Sequence, residues 1–414
     1  MIDAYGNAKY VKQRGALNVT KHHTVLTALE KRAVRFQNSK SYEDVRDQEL
    51  IDSLLKEDET VATADESLSD SDGECESLNS ETTTQLEIGL KEKDEIRGVD
   101  DYLLQVHGQA PGRKGEGVTR VLYENRNGLN NRLSGNEKLE KARQIYDDLE
   151  ADVIAGNEHR LNLRHKENKN GFSQMFNGGE ADIRSVAAHN VYESKDVGKI
   201  QEGGTDLILY GELIECYDKE GSGKDELPIG RWVYMKLKGS DGVETIILSG
   251  YCPCYSKRPD TGTSYQQHRR YYMSEQDDET CPRIRFKEDL IKQLKKWKEQ
   301  GARLIVCLDC NDHIYKKGVG KALTDEESLG LKEVVGEFTG KELGATFFRG
   351  NKPIDGVWAS EELEVVGASV MPVGYGVGDH RLFVVDFSTR SVVGKVPKTV
   401  VRPSSRRLNT RIGG

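Results

Sequence analysis

The stretch Arg303–His313, RLIVCLDCNDH, most constrains how this chain can fold. Its apolar run, Leu304–Leu308, predicts a buried β-strand that ends in polar residues. Because side chains alternate between the faces of a strand, we expect Asp309 and Asn311 to project the same way. A carboxylate beside an amide at the carboxyl end of a core strand suits polar chemistry at a sheet edge. An ordinary Asp/Asn turn after the strand is the alternative.

Four further short stretches combine apolar runs with polar residues. Together with the first stretch they favour a functional site at Asp309 and Asn311 over an ordinary Asp/Asn turn. They are ENRNG (Glu124–Gly128), NEHR (Asn157–Arg160), PIDGVW (Pro353–Trp358) and GDHRLFVVDF (Gly378–Phe387). Between the first two lies a predicted helix with apolar residues at helical spacing, namely Leu139, Ala142, Ile145, Tyr146 and Leu149. Strand, helix and strand in this order predict a βαβ unit and an α/β fold.

Other apolar runs predict further strands and one long helix. The strands are Ile183–Ala188, Asp206–Leu213, Trp232–Leu237, Glu244–Ser249, Leu363–Val366 and Leu382–Phe387. The helix is Arg285–Gln300, which carries one apolar stripe and is followed by Gly301 as a stop signal.

Charge divides the chain into four predicted regions. Residues 1–41 form a basic segment of net charge +6, and residues 42–117 form an acidic linker whose Asp, Glu, Ser and Thr content predicts disorder. Residues 118–390 form the predicted catalytic domain. Residues 391–414 form a basic tail with six Lys and Arg and no acid, which we expect to lead into a further domain downstream.

Composition also excludes some classes of protein. No apolar run approaches the length of a membrane span, and the first residues show no apolar region of a signal peptide. Seven cysteines at irregular spacing fit reduced thiols in an intracellular protein. The net charge of −9 does not by itself indicate a nucleic-acid binder.

The motifs of residues 118–388 resemble, in order, those of the endonuclease/exonuclease/phosphatase superfamily. ENRNGL resembles the first motif, and IAGNEHRL resembles the strand that ends in Gln-Glu, with Asn157 in place of the usual Gln. EGGTDLIL, LSGYCP, LDCND, PIDGVWAS and GDHRLFVV resemble the later motifs. The resemblance implies a four-layer α/β sandwich, in which two packed mixed sheets are flanked by helices.

The resemblance also implies a Mg²⁺ site, for which Mn²⁺ would be a substitute. Glu158 is the first expected metal ligand, and Asn127 and Asp379 would support the metal. Mg²⁺ prefers oxygen ligands and keeps several waters, so one or two carboxylates suffice. Asn127 stands where some members carry an Asp, which would weaken metal binding slightly.

The remaining motif residues are expected to act on the phosphodiester. Asp309 would orient or deprotonate the attacking water, while Asn311 would hold water or a phosphate oxygen. His380 would face the scissile phosphate, with its ring oriented by Asp355. The last pair, Asn125 and Tyr251, would donate hydrogen bonds to phosphate oxygens. Whether Asp309 or His380 takes the proton stays open.

Departures from the superfamily's patterns narrow the expected function. Lys352 or Pro353 replaces the Trp that lines an abasic-site pocket in some repair members, and Tyr251 stands where other branches carry His-Leu. We therefore expect a DNA-nicking endonuclease similar to those of non-LTR retrotransposons. Its partners would be DNA and a reverse transcriptase domain encoded downstream, and its location nuclear. The alternatives are a hydrolase of the same fold that acts on RNA or a small phosphoester, and a catalytically silent binding module.

Two further stretches remain open between functional and structural interpretations. Tyr255–Tyr272 mixes basic and aromatic residues, which suits phosphate contacts and base stacking or, equally, a solvated loop. Cys307 and Cys310 have the spacing of a zinc pair, but on an extended strand they face opposite ways. We therefore expect both to be buried thiols.

Overall fold

The computed structural model describes residues 102–129, 137–165, 176, 183–193, 200–259 and 261–395. The predicted basic segment 1–41, residues 42–101 of the acidic linker, and the tail beyond residue 395 lie outside the described residues. No helix in the described ranges is long and apolar enough to cross a membrane.

Two mixed β-sheets form the centre of the fold. The first has seven strands in the spatial order β1-β12-β13-β2-β3-β5-β4. Their bounds are β1 His107–Gly108, β2 Val118–Asn125, β3 Val153–Asn157, β4 Arg184–Ala188, β5 Thr205–Leu209, β12 Val365–Val370 and β13 Phe383–Ser388.

The second sheet has six strands in the order β10-β11-β9-β8-β7-β6. Their bounds are β6 Tyr217–Lys224, β7 Trp232–Lys238, β8 Glu244–Tyr251, β9 Arg303–Asp309, β10 Lys332–Glu333 and β11 Asp355–Ala359. The helices are α1 Glu137–Asp148, α2 Ser264–Glu275, α3 Pro282–Glu299, α4 Gly318–Thr324, α5 Val334–Thr339 and α6 Thr389–Val393, with a 3₁₀ helix at Gly211–Cys216.

Each sheet contains one parallel pair of strands whose connection carries a helix. β2 and β3 pair in parallel around α1, and β8 and β9 pair in parallel around α2 and α3. A parallel pair requires such a crossover, so the carboxyl ends of both strands lie at the same edge of the sheet. The predicted βαβ unit is therefore present.

Strand alternation divides the apolar side chains into layers. On β2, Val121 and Tyr123 pack in the cluster between the two sheets, together with side chains such as Leu248 and Val306 of the second sheet. Leu122, one position along, packs on the other face beneath α1. The apolar runs are buried on both faces, which confirms the predicted α/β sandwich of two packed mixed sheets with flanking helices.

Several predicted boundaries are wrong, among them the strand predicted at Leu363–Val366, which is observed as β12 at Val365–Val370, and the helix predicted from Arg285, which begins at Pro282. The predicted strand Asp206–Leu213 ends at Leu209, because Gly211 takes a φ of 65° and begins the 3₁₀ helix. The linker predicted to reach residue 117 is too long, since β1 within it pairs with β12. The hydroxyl of Tyr102 also accepts a hydrogen bond from the backbone of Gly344. These contacts are long-range, so local composition does not reveal them.

Candidate active site

Five strand termini meet at one edge of the sandwich and carry the predicted site. Asn125 and Asn157 are paired at the ends of β2 and β3. In the second sheet, Asp309 at the end of β9 pairs with Tyr251 on β8 and with Asp355 on β11. Because β11 runs antiparallel to β9, its first residue lies beside the last residue of β9.

Asn157 joins the two sheets at this edge. Its Nδ2 donates to the carbonyl of Gly250 at 2.8 Å and to the Tyr123 hydroxyl at 3.0 Å, while its Oδ1 accepts from the Ser249 hydroxyl at 3.0 Å. The side chain is fully buried, and an unpaired amide there would be costly. The residue that departs from the usual Gln therefore fixes the spacing of the two sheets.

Asn125 connects two of the predicted functional carboxylates. Its Nδ2 donates to Glu158 Oε1 at 3.2 Å and to Asp309 Oδ2 at 2.9 Å. The other oxygen of Asp309 accepts the backbone N–H of Asn311 at 2.8 Å. The structure thus places Asn125, Glu158 and Asp309 in contact, although the last two are separated by about half of the described chain.

Glu158 is held from a second side by Arg160. Arg160 donates to Glu158 Oε2 from Nε at 3.2 Å and from Nη2 at 2.9 Å, and its Nε also lies 3.2 Å from Glu202. The Tyr251 hydroxyl lies near the same carboxylate, and burial together with the charge of Glu158 raises the pKa of Tyr251 well above its ordinary value. Tyr251 is therefore a neutral donor at the site.

His380 and Asp355 form a buried hydrogen-bonded dyad. His380 Nδ1 lies 2.7 Å from Asp355 Oδ2, and the arrangement has Nδ1 donating. Asp355 also accepts from the hydroxyl of Thr346 at 2.7 Å and from that of Tyr123 at 3.1 Å. Three donors therefore hold the carboxylate that orients the histidine ring.

The remaining two predicted residues meet beside the turn after β2. Asn127 donates from Nδ2 to Asp379 Oδ2 at 2.7 Å, and its backbone N–H donates to Asn125 Oδ1 at 3.0 Å.

The strand alternation expected between Asp309 and Asn311 is not found. Asn311 lies beyond the end of β9 with a φ of 46°, so strand alternation does not apply, and its amide nitrogen donates to the Cys252 carbonyl at 2.9 Å.

The site holds more negative charge than its neighbours neutralise. Burial and the charge of Asp355 raise the pKa of Asp309 to about 8. Burial lowers the pKa of His380, but Asp355, through its charge and its hydrogen bond, raises it to about 10 overall. Both shifts favour protons, or another cation, at this edge.

A divalent metal ion fits the oxygen-rich donors better than the histidine. Asp309, Asp355 and His380 have ligand atoms within 4.8 Å of one another. Hydrogen bonds engage both candidate carboxylates, since Asp355 accepts from His380 and two hydroxyls and Glu158 accepts from Asn125 and Arg160, so ligand type and not occupancy decides between them. Glu158, Asp379 and the free amide oxygen of Asn127 offer the hard oxygen ligands that Mg²⁺ prefers.

Four residues at the site have strained backbones. Among the described residues other than glycine, six have a positive φ. Four of these lie here, namely Asn127 (45°), Glu158 (48°), Arg160 (51°) and Asn311 (46°). Each such conformation costs about 1 kcal/mol or more, and the surrounding hydrogen bonds hold it in place.

Sequence reasoning missed several supporting residues. Arg126, inside the first motif, is fully buried and forms an ion pair with Asp206 and a hydrogen bond with the Tyr146 hydroxyl. This network fixes the turn that carries Asn125 and Asn127. An arginine inside a predicted core motif was the available signal, because a buried guanidinium requires partners. Tyr123 and Thr346 had no comparable signal.

The second half of the basic and aromatic stretch Tyr255–Tyr272 forms a helix and not a solvated loop. α2 begins after Thr263, whose side chain caps it, and buries Tyr271 and Tyr272 against Ile229. His268 Nε2 donates to the Ile229 carbonyl at 3.1 Å, and Arg270 pairs with Glu193 at 2.7 Å. The buried tyrosines and histidine are thus structural, and the expectation of base stacking is wrong for them. Cys307 and Cys310 are buried free thiols, as expected.

Among known proteins, similarity to this chain is found only in solved structures. No family model and no curated protein matches the sequence. An AP endonuclease from Leishmania major is similar with a TM-score of 0.47 and 13% identity, covering 72% of this chain and 99% of that one. An endonuclease/exonuclease/phosphatase from Bacteroides vulgatus has a TM-score of 0.43 and 13% identity, covering 65% and 98%.

The endonuclease domain of TRAS1, a telomere-specific non-LTR retrotransposon, is also similar. Its TM-score is 0.37 at 15% identity, and the alignment covers 66% of this chain and 99% of that domain. All three identities lie at or below 15% and all three TM-scores at or below 0.47, so these similarities carry no argument about what this chain does.

Proposed function

We propose that the chain is a metal-dependent phosphodiesterase, and more narrowly a DNA-nicking endonuclease of the non-LTR retrotransposon type. One observation carries the proposal. Asn125 joins Glu158 to Asp309 at the edge where the His380–Asp355 dyad also lies. A sheet edge that gathers carboxylates, an amide and an oriented histidine suits hydrolysis of a phosphodiester.

The metal would be held by Glu158, with Asn127 and Asp379 in support. A bound Mg²⁺ supplies charge stabilisation to the phosphate and to the leaving oxygen. In the structure, Asn127 already holds Asp379 in place, and Asn125 and Arg160 hold Glu158. The protein therefore orients the carboxylates before any ligand arrives.

His380 acts as an oriented cation in this proposal. Its pKa is lowered by burial but raised to about 10 overall by Asp355, so the ring carries a proton on both nitrogens at neutral pH. Nδ1 donates to Asp355, which leaves the Nε2–H to donate to a phosphate oxygen. Charge-assisted donation of this kind stabilises negative charge that develops on the phosphate.

Asp309 is the residue that we assign as general base. Its carboxylate is fully buried, and Asn125 and the Asn311 backbone hold its two oxygens. Burial and Asp355 raise its pKa to about 8, and a general base is most effective when its pKa lies near the working pH. Asp309 would take the proton of the attacking water while the protonated His380 faces the phosphate.

The choice of DNA rests on the motif pattern and not on the site geometry. The absence of a His-Leu motif at Tyr251 and of the abasic-pocket Trp near Lys352 separates the chain from the phosphatase and repair patterns. RNA and small phosphoesters remain the alternative substrates, and a silent binding module the alternative class. The complete set of site side chains counts against the last of these.

A nicking assay tests the proposal directly. Supercoiled plasmid, RNA and a phosphoinositide would be incubated with the protein in Mg²⁺ and in EDTA. We expect Mg²⁺-dependent conversion of plasmid to the open circle, with loss of that activity in Asp309→Ala. The matched control is Asp148→Ala, which removes an exposed aspartate at the end of α1. Cleavage of RNA or phosphoinositide alone would overturn the choice of DNA as substrate. Absence of cleavage of all three substrates would overturn the proposal that the chain is an enzyme.

A further inference from the structure

The segment Phe347–Pro353, FFRGNKP, lies directly beside His380 and has no role in the proposed chemistry. Phe347 pairs with His380 in an isolated bridge, and the two rings lie 4.9 Å apart. The next residue, Phe348, donates its backbone N–H to the Asp379 carbonyl at 2.9 Å. Two consecutive aromatic residues therefore lie against the Asp379–His380 pair.

Phe348 is unusual because its side chain is left in water. It is 54% exposed, more than the other two exposed large aromatic side chains among the described residues, Phe338 at 42% and Tyr192 at 40%. Phe347 turns inward onto His380, whereas Phe348 turns outward at the rim of the site. An exposed aromatic ring at the rim of a polar site suits a ligand that covers it.

The backbone around Phe348 is fixed at several points. The carbonyl of Phe347 accepts the N–H of Gly350 at 3.0 Å, which closes a turn. Thr346 binds the chain on both sides of the segment, accepting from Ile354 at its hydroxyl and from Arg381 at its carbonyl. Phe348 is thus presented by a preorganised turn, which limits the entropy lost when a ligand binds.

Positive charge accompanies the exposed ring. Arg349 is exposed and Lys352 is half-buried in the same turn. Lys352 lies close enough to act electrostatically on Cys254, a residue that also feels the charges of Asp309 and Glu158. The turn therefore combines an aromatic face with two cations at the edge of an acidic site.

We propose that Phe348 stacks on a nucleobase next to the scissile phosphate, while Arg349 and Lys352 contact the adjoining phosphates. The proposal rests on the proposed function and deepens it, since it assigns a base-binding position to the substrate. Stacking on an aromatic ring beside basic residues is a general mode of nucleic-acid binding that tolerates any base. A small phosphoester without a base would gain nothing from this ring.

Binding of two matched oligomers separates the base from the backbone. The probes are oligothymidylate and an oligomer of the same length built from abasic units, which has the same phosphates and no bases. Affinities would be measured by fluorescence anisotropy on the full chain in EDTA, so that no cleavage occurs. The variants are Phe348→Ala, Phe348→Trp and the control Phe338→Ala, which removes a similarly exposed ring from α5.

We expect Phe348→Ala to weaken binding to oligothymidylate by about 5- to 100-fold, the range that stacking on one base supports. The same variant should leave binding to the abasic oligomer unchanged, while Phe348→Trp and Phe338→Ala should bind both probes like the unaltered chain. An equal loss on both probes, or no loss on either, would overturn the base-stacking site. The plasmid-nicking assay tests the proposed function separately, because nicking by the unaltered chain can persist whichever result is found here.

Discussion

His380 and His268 are both buried, yet their surroundings push their pKa values in opposite directions. The exposed fractions are 6% and 3%. Burial lowers the pKa of each ring. At His380 the Asp355 carboxylate outweighs burial and raises the pKa to about 10, whereas His268, near the cation of Arg231 and bonded to the Ile229 carbonyl, is lowered to about 3. Burial alone therefore does not predict the charge of a histidine.

Two further buried histidines resemble His268 in their lowered pKa values. His159 and His189, like His268, are buried, and burial lowers the pKa of both to about 4. We call these three the inner histidines. They carry no charge at neutral pH, while His380, whose ring is hydrogen-bonded to a carboxylate, is charged. The carboxylate partner distinguishes a candidate catalytic histidine from structural ones.

Removal of the charged histidine should have the largest effect. His380→Ala is expected to reduce turnover by at least ~10²-fold, the scale of an acid–base group, without rescue by added metal. His268→Gln should change turnover little, because the ring of His268 is hydrogen-bonded to the Ile229 carbonyl and not to a residue of the site. Plasmid nicking under single-turnover conditions measures both, and nicking by His380→Ala at nearly the unaltered rate would contradict the assignment.

The dyad should behave as one unit. Asp355→Asn keeps the size of the side chain but removes the charge that raises the pKa of His380. Combined with His380→Ala it should add little further loss of turnover, since groups that act together are not additive. A double variant whose loss equals the product of the two single losses would show that Asp355 acts independently of the histidine.

Loss of Glu158 should be recoverable where loss of His380 is not. Glu158→Ala is expected to weaken metal binding and to reduce nicking, and excess Mg²⁺ or Mn²⁺ should restore part of the rate. Direct titration with Mn²⁺ gives the affinity without relying on activity. Glu202→Ala is the control, because it removes the other carboxylate that contacts Arg160. Unchanged Mn²⁺ affinity in Glu158→Ala would place the metal elsewhere.

The pH dependence of the rate should carry the signature of the dyad. The proposed reaction needs Asp309 deprotonated and His380 protonated, so the rate should rise as pH increases through the raised pKa of Asp309, about 8, and fall through that of His380, about 10. Asp355 raises both values, so Asp355→Asn should move both limbs to lower pH. If the rising and falling parts of the pH–rate profile stay at the same pH in that variant, Asp355 is not the cause of the two pKa shifts.

The inner histidines should affect the pH dependence of the free energy of unfolding rather than the rate of the reaction. Their folded pKa values lie below the unfolded value of about 6.5, so below that pH the unfolded chain binds protons that the folded chain does not. Each should lower the free energy of unfolding by about 1.4 kcal/mol per pH unit until its folded pKa is reached. Urea denaturation at neutral and mildly acid pH should show a smaller acid loss for His268→Gln. An identical acid loss would mean that the pKa of His268 is not lowered in the folded chain.

The sequence was sufficient for the elements whose signal is local. The apolar runs of β2, β3 and β9 and the helical stripe of α3 are continuous in the chain, so the predicted sandwich is confirmed. The structure also brings the predicted polar residues to one edge, because polar residues at strand ends meet when strands are parallel. Their catalytic roles remain predictions.

Interactions across the fold could not be predicted in the same way. Tyr123 and Thr346 hold Asp355 from opposite sides, and nothing in their neighbourhoods distinguishes them from core residues. The helix α2 was missed because its basic and aromatic composition is typical of a binding loop, and its packing against Ile229 is a tertiary contact. Partners that come together only after the sheets pack leave no local pattern.

The left-handed backbones of Asn127, Glu158, Arg160 and Asn311 also shape which substitutions the chain can accept. At these positions glycine would relieve backbone strain, so a search for stabilising variants would be drawn to them. Each such gain would remove a side chain from the cluster around the two carboxylates. Selection for stability alone would thus remove side chains of the proposed site at these four positions.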